Sequence, residues 1–114
     1  MREQIKALTR PQSKIFCVRL WFELTIAGRS IWSDSTLDPS TQLNALKWLN
    51  EFQHRAWGAH ARDDPEALIW LLDRIISHCD EAPVIKPHVR IALDRAIATA
   101  AIEQPDTQPG WPAN

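Results

Sequence analysis

This chain of 114 residues has few residues whose type and spacing could form a catalytic, metal-binding or phosphate-binding site. Cys17 and Cys79 both lie in apolar stretches, where a free cysteine packs as a small hydrophobic residue and its thiol is not activated. His54 and His60 are candidate metal ligands, but on one helix they would lie about 240° apart around its axis. The three glycines, at positions 28, 58 and 110, are too far apart to form a phosphate-binding loop. We therefore expect no metal site, no cofactor and no nucleophilic catalysis.

The pattern closest to a catalytic site is an arginine and a histidine separated by four residues, in the run RAWGAH from Arg55 to His60. Within a small helical bundle, this spacing resembles the signature of the HEPN family, whose active members are metal-independent ribonucleases. The resemblance covers this run and the general architecture. It implies that His60 transfers a proton of the attacking 2′-hydroxyl or of the leaving group, and that Arg55 stabilises charge on the phosphate. The structural alternative is that Arg55, His60 and Arg62 end a helix and offset its dipole.

Basic residues are concentrated at the start of the chain. Six basic residues against two acidic ones give residues 1–29 a net charge of +4, whereas the whole chain has a net charge of −1. Four of the six recur at every fourth position, which would align them on one helix face where they could neutralise phosphates: Arg2, Lys6, Arg10 and Lys14. Pro11 interrupts that register. The pattern fits either nucleic-acid binding or an ordinary solvated helix face.

The composition is unusual in having six tryptophans and no tyrosine. Trp48, Trp57 and Trp70 fall at or just beyond the border of the apolar stripes of the helices predicted below, and Trp32 follows Ile31 at a helix end. Any one of these rings could extend the core of a small domain. Tryptophan is enriched in binding hot spots, however, and six buried indoles are hard to place in one small core. We predict that these four tryptophans bind a protein partner or a second copy of the chain.

Prolines and apolar spacing locate the helices. Asp38-Pro39 and Asp64-Pro65 each have the order of an N-cap followed by the first helical residue. The segments 39–60 and 65–80 carry apolar residues at steps of three and four, and so does 87–103. This spacing predicts three amphipathic helices.

Residues 14–32 leave two alternatives open. The run IFCVRLWFELTI, which starts at position 15, is rich in the β-branched and aromatic residues of a strand, and residues 27–30 could turn it into a hairpin. A helix capped by Ser13 fits better, because the run is apolar on nearly all sides and no other segment offers strands to pair with it. We therefore predict an all-α fold. It is a compact single-domain bundle of four to five helices over 1–103, with a disordered proline-rich tail over 104–114.

From the sequence we expect neither a secretory signal nor a membrane span. Its longest apolar stretch, 15–27, is interrupted by Arg19 and Glu23, whereas a span needs roughly 20 mainly apolar residues. We expect a cytoplasmic protein that acts as a small soluble interaction module, such as a regulator, an inhibitor or an accessory subunit. The alternatives are a HEPN-like ribonuclease or toxin component and a nucleic-acid-binding accessory protein.

Overall fold

The computed structural model describes residues 1–62 and 65–102, apart from the side chain of Pro65. Within these residues the chain forms five α-helices, a short 3-10 helix and no strand, which confirms the predicted all-α bundle of four to five helices. The helices are α1 (Arg2–Lys6), α2 (Arg10–Trp32), α3 (Pro39–Arg62), α4 (Pro65–Cys79) and α5 (Lys86–Ile102), with the 3-10 helix at Pro83–Ile85. The predicted tail, 104–114, and the predicted cap Asp64 lie outside the described residues.

The bundle is built around α2, which packs against α3 on one side and α5 on another. α4 packs against α3, and α1 lies against α4. Apolar side chains from all five helices form one core. Its largest fully buried members are Phe16, Leu20, Leu24, Ile31, Leu49, Phe52, Leu71, Leu72, Ile75, Ile85 and Val89. None of the described helices is long and apolar enough to cross a membrane.

Residues 14–32 are helical throughout, as predicted, but α2 begins earlier than expected. Thr9 and Gln12 form a capping box: Gln12 N–H donates to Thr9 Oγ1 at 3.3 Å, and Thr9 N–H donates to Gln12 Oε1 at 2.9 Å. These bonds satisfy two backbone donors that have no partner within the helix. Pro11 is tolerated because the first turn needs no donor from it. Ser13, the predicted cap, therefore lies inside α2.

The start of α3 agrees with the prediction from Asp38 and Pro39. The Asp38 carboxylate accepts hydrogen bonds from Thr41 N–H at 2.8 Å and from the Thr41 hydroxyl at 3.0 Å. The bond from the Thr41 N–H, followed by the bond from the hydroxyl, lowers the pKa of Asp38 below its usual value because both favour the charged carboxylate. The ends of α3, α4 and α5 lie close to the predicted ends.

Candidate functional site

Arg55 lies on the side of α3 that faces α4. Its Nη2 atom lies 2.8 Å from Oε1 of Glu51, one turn earlier on α3. The guanidinium also lies over the ring of Trp70 on α4, 5.0 Å from the ring centre, and the Arg74 guanidinium approaches the same ring at 5.5 Å. Cation–π contacts of this kind hold an arginine against an aromatic face. Arg55 therefore helps to join α3 to α4.

His60 lies on a different side of α3, beside α2. Its ring stacks on Trp57, with 5.5 Å between the ring centres and 8° between the planes. His60 lines a shallow cavity of about 440 Å³ with Val18 and Phe22, whereas Arg55 lines a separate cavity at the α3–α4 junction. Five residues of α-helix turn through about 140°. The structure thus does not bring Arg55 and His60 to one cleft within the chain, and the HEPN-like ribonuclease stays a prediction that this geometry does not favour.

The four basic residues near the start of the chain do not share one helix. α1 ends at Lys6 and α2 begins at Arg10, so the row is divided between two helices. Arg2 forms an ion pair with Asp73 of α4, with 2.8 Å between Nη1 and Oδ1. Lys14 lines the cavity beside α2. Nucleic-acid binding by this row stays a prediction.

Three of the four tryptophans predicted to bind a partner are exposed. Trp32, Trp57 and Trp70 have exposed fractions of 64%, 57% and 52%. Trp48 is partly buried: it packs against the core and stacks on His78, with 4.3 Å between the ring centres. The exposed rings lie in different places, since Trp70 belongs to the α3–α4 junction, Trp57 stacks on a histidine that borders α2, and Trp32 is the last residue of α2.

A broad exposed apolar surface lies on α2, on the side away from the core. We call Val18, Trp21, Phe22 and Ile26, which are all exposed, the outer face of α2. At 100° per residue these four side chains span about 140° of the helix circumference. The exposed Trp32 extends this surface to the end of the helix.

The sequence did contain a signal for this surface, although sequence reasoning missed it. The run over 15–27 is apolar on nearly all sides of the predicted helix. In the structure α2 packs mainly against two helices, α3 and α5. Two neighbours cover only part of a helix circumference, so an all-round apolar helix flanked by two others leaves one apolar side uncovered.

The outer face of α2 continues onto α3. Gln53 Nε2 donates to the Trp21 carbonyl at 3.0 Å and to Thr25 Oγ1 at 2.7 Å, which places this side of α3 beside the outer face. Trp57 lies one helical turn after Gln53. The stacked His60 lines the cavity beside the outer face, so Trp57 contacts a residue that borders α2.

A buried carboxylate holds α2 to α5 beneath this surface. Glu23 is the one charged residue buried within the described part of the chain. Its Oε2 lies 2.8 Å from Arg19 Nη2, and its Oε1 lies 3.5 Å from Arg95 Nη1 of α5. A buried charge is tolerated when it is paired in this way. Two arginines against one carboxylate leave this cluster with a net positive charge.

The remaining candidates for chemistry are not activated. Cys17 and Cys79 are buried free cysteines, and burial raises the pKa of the Cys17 thiol to about 12 and that of the Cys79 thiol to about 11. A thiol with a raised pKa is a poor nucleophile near neutral pH, because the thiolate is the reactive form. Over residues 1–62 and 65–102, no three histidine, cysteine or acidic residues lie close enough together to hold a metal ion.

Comparison of the chain with protein-family models, with curated proteins and with solved structures found no match in any of the three.

Proposed function

We propose that the chain is a protein-interaction module and that the outer face of α2, together with Trp57, is its binding surface. One observation carries the proposal: four large apolar side chains are exposed along the middle of a helix whose other sides are packed into the core. Contiguous exposed apolar patches on soluble domains mark interaction sites. Such a module acts by occluding or scaffolding its partner, as a regulator, an inhibitor or an accessory subunit does.

The aromatic rings give this surface its capacity for binding. Trp21, Phe22 and Trp57 are each about half exposed, and a tryptophan or phenylalanine side chain can bury about 150–250 Å². Covering the exposed halves would contribute roughly 6–9 kcal/mol before the costs of association are subtracted. Tryptophan and arginine dominate binding hot spots, and Arg19 lies with its guanidinium 5.4 Å from the ring centre of Phe22.

Site-specific photo-crosslinking in the native host tests the proposal. A photoreactive residue replaces Phe22 on the outer face in one variant and Ile76 on α4 in the other. The two positions are matched, since both side chains are apolar and about half exposed. We expect a discrete protein adduct at position 22, from a partner or from a second copy, and none at position 76. Equal and diffuse labelling at the two positions would contradict the proposal.

A further inference from the structure

We infer that the outer face of α2 binds an acidic amphipathic helix of another protein. The inference rests on the proposed function, to which it adds the charge and the secondary structure of the partner.

The three helices that border the surface place each of their carboxylates away from it. The only acidic residue of α2 is Glu23, which is buried and paired with Arg19 and Arg95. The only one of α3 is Glu51, which is paired on the side that faces α4. The only one of α5 is Asp94, which lines a different cavity together with Gln4 of α1 and with Ala7 and Leu8 after it. A partner that approaches the outer face therefore meets no negative charge from α2, α3 or α5.

Positive charges surround the apolar residues instead. Lys14 and Arg19 line the cavity beside the outer face. Arg29 is exposed and lies two helical turns after Phe22, on the same side of α2. The Arg95 side chain is 60% exposed at the border with α5. Charge complementarity across such a surface selects a partner that carries carboxylates beside its apolar residues.

The surface has the length and the shape to hold a helix. From Val18 to Arg29, α2 rises about 16 Å, or three turns. His60 of α3 and Thr99 of α5 line the cavity from its two sides, so that Val18 and Phe22 lie on the floor of a shallow groove. An amphipathic helix binds a groove of this kind through apolar residues at i, i+3 or i+4, and i+7.

A second copy of the chain fits this surface less well, because of its charge. A two-fold dimer would bring the same surface of both copies together. Among charged groups, Arg19, Arg29 and Arg95 of one copy would then meet the same arginines of the other, and juxtaposed like charges oppose association. The same charges would meet carboxylates on an acidic helix.

Two synthetic peptides test the inference. Both are about 18 residues long, enough to form a helix, and carry the same leucine and phenylalanine stripe. One has glutamate and the other lysine at every flanking position. Binding is followed by NMR chemical shifts of the full chain at two salt concentrations. We expect the acidic peptide to bind more tightly than the lysine peptide, to perturb the indole signals of Trp21 and Trp57, and to bind more weakly at high salt.

Matched variants test which basic residues attract the acidic peptide. Arg29→Glu should weaken binding of the acidic peptide by about tenfold, because it replaces an attraction with a repulsion. Arg90→Glu on α5 is the control and should leave binding unchanged, since Arg90 is exposed about 140° around the helix from Arg95. The milder Arg29→Gln change, which should weaken binding by a smaller factor, keeps the test valid if Arg29→Glu disturbs the fold.

Three other results would overturn the inference. The first is equal binding of the acidic and lysine peptides. The second is a dimer in sedimentation that Phe22→Ser dissociates, which would identify a second copy as the occupant. The third is preferential binding to vesicles that contain an anionic phospholipid. The first two would leave the proposed function intact, whereas the proposed function itself fails if crosslinking at Phe22 and Ile76 gives the same background.

Discussion

The buried Glu23 links α2 to α5 beneath the outer face of α2. It is buried among apolar side chains, yet it keeps a charge partner on each of two helices. The closer partner, Arg19, lies on α2 itself, and the more distant partner, Arg95, reaches across from α5. A buried carboxylate that loses its partner is costly, so the two arginines should contribute unequally to stability.

We predict that Arg19→Ala destabilises the fold by about 1–3 kcal/mol and that Arg95→Ala destabilises it by less than about 1 kcal/mol. The first value is lower than for a fully buried pair because the Arg19 side chain is 41% exposed and water screens its charge. Urea unfolding followed by circular dichroism measures both values, with Arg90→Ala as an exposed control. Equal losses for the Arg19 and Arg95 variants would show that the shorter ion pair does not dominate.

At the scale of helices, the ends and the packed sides follow general rules that the sequence reveals. Asp38 before Pro39 predicted the start of α3, and the hydrogen bonds from Thr41 confirm it. The predicted cap of α2 at Ser13 is wrong, because Thr9 forms a capping box with Gln12 one turn earlier. Capping residues in the sequence thus suffice to locate the start of a helix when the right cap is identified.

We predict that the Asp38 cap gives the protein a defined loss of stability in acid. Hydrogen bonds lower the pKa of the Asp38 carboxyl in the folded chain below its usual value of 3.8. The charged carboxylate therefore contributes fully to stability above pH 3.8, and this contribution is lost as the pH falls through the lower pKa of the folded chain. Asp38→Asn keeps an acceptor for the cap but does not titrate in this range. Urea midpoints of the wild type and this variant should differ at about pH 7 and converge at about pH 2. A difference that stays constant with pH would contradict the assignment.

The two sides of α2 should respond in opposite ways to substitution. We predict that Leu24→Ala, in the core, costs about 2–5 kcal/mol, whereas Phe22→Ser, on the outer face, costs less than about 1 kcal/mol in the isolated chain. The reason is that Leu24 is fully buried and Phe22 is about half exposed. Urea unfolding of the two variants provides the comparison. A loss for Phe22→Ser as large as that for Leu24→Ala would show that the outer face is already covered.

The candidate site was less predictable than the fold. Of the four tryptophans predicted to bind a partner, three are exposed and Trp48 is partly buried, and their binding role stays a prediction. The outer face was missed, because the apolar residues around Phe22 fit a fully enclosed helix equally well. Which sides of α2 have neighbours depends on contacts between helices distant in sequence, and local spacing carries no information about them.

At the scale of the whole molecule, the helices formed by residues 1–62 and 65–102 leave one apolar side of α2 without cover. α3 and α5 flank α2, and α4 packs mainly against α3 and makes a smaller contact with α2. The exposed side therefore lies between the two helices that contribute His60 and Thr99 to the same cavity. A partner helix placed there would cover the apolar side of α2 that the fold leaves exposed. The arrangement of the helices therefore accounts for the proposed binding surface.

Hydroxyl-radical footprinting tests the central claim most directly, because it compares the exposure of individual side chains in intact cells with that in the purified chain. In the purified chain, Trp21, Phe22 and Trp70 should all be oxidised, since each is about half exposed. In cells, the account predicts that a partner protects Trp21 and Phe22 while Trp70 remains as reactive as before. Unchanged oxidation of Trp21 and Phe22 in cells would contradict it.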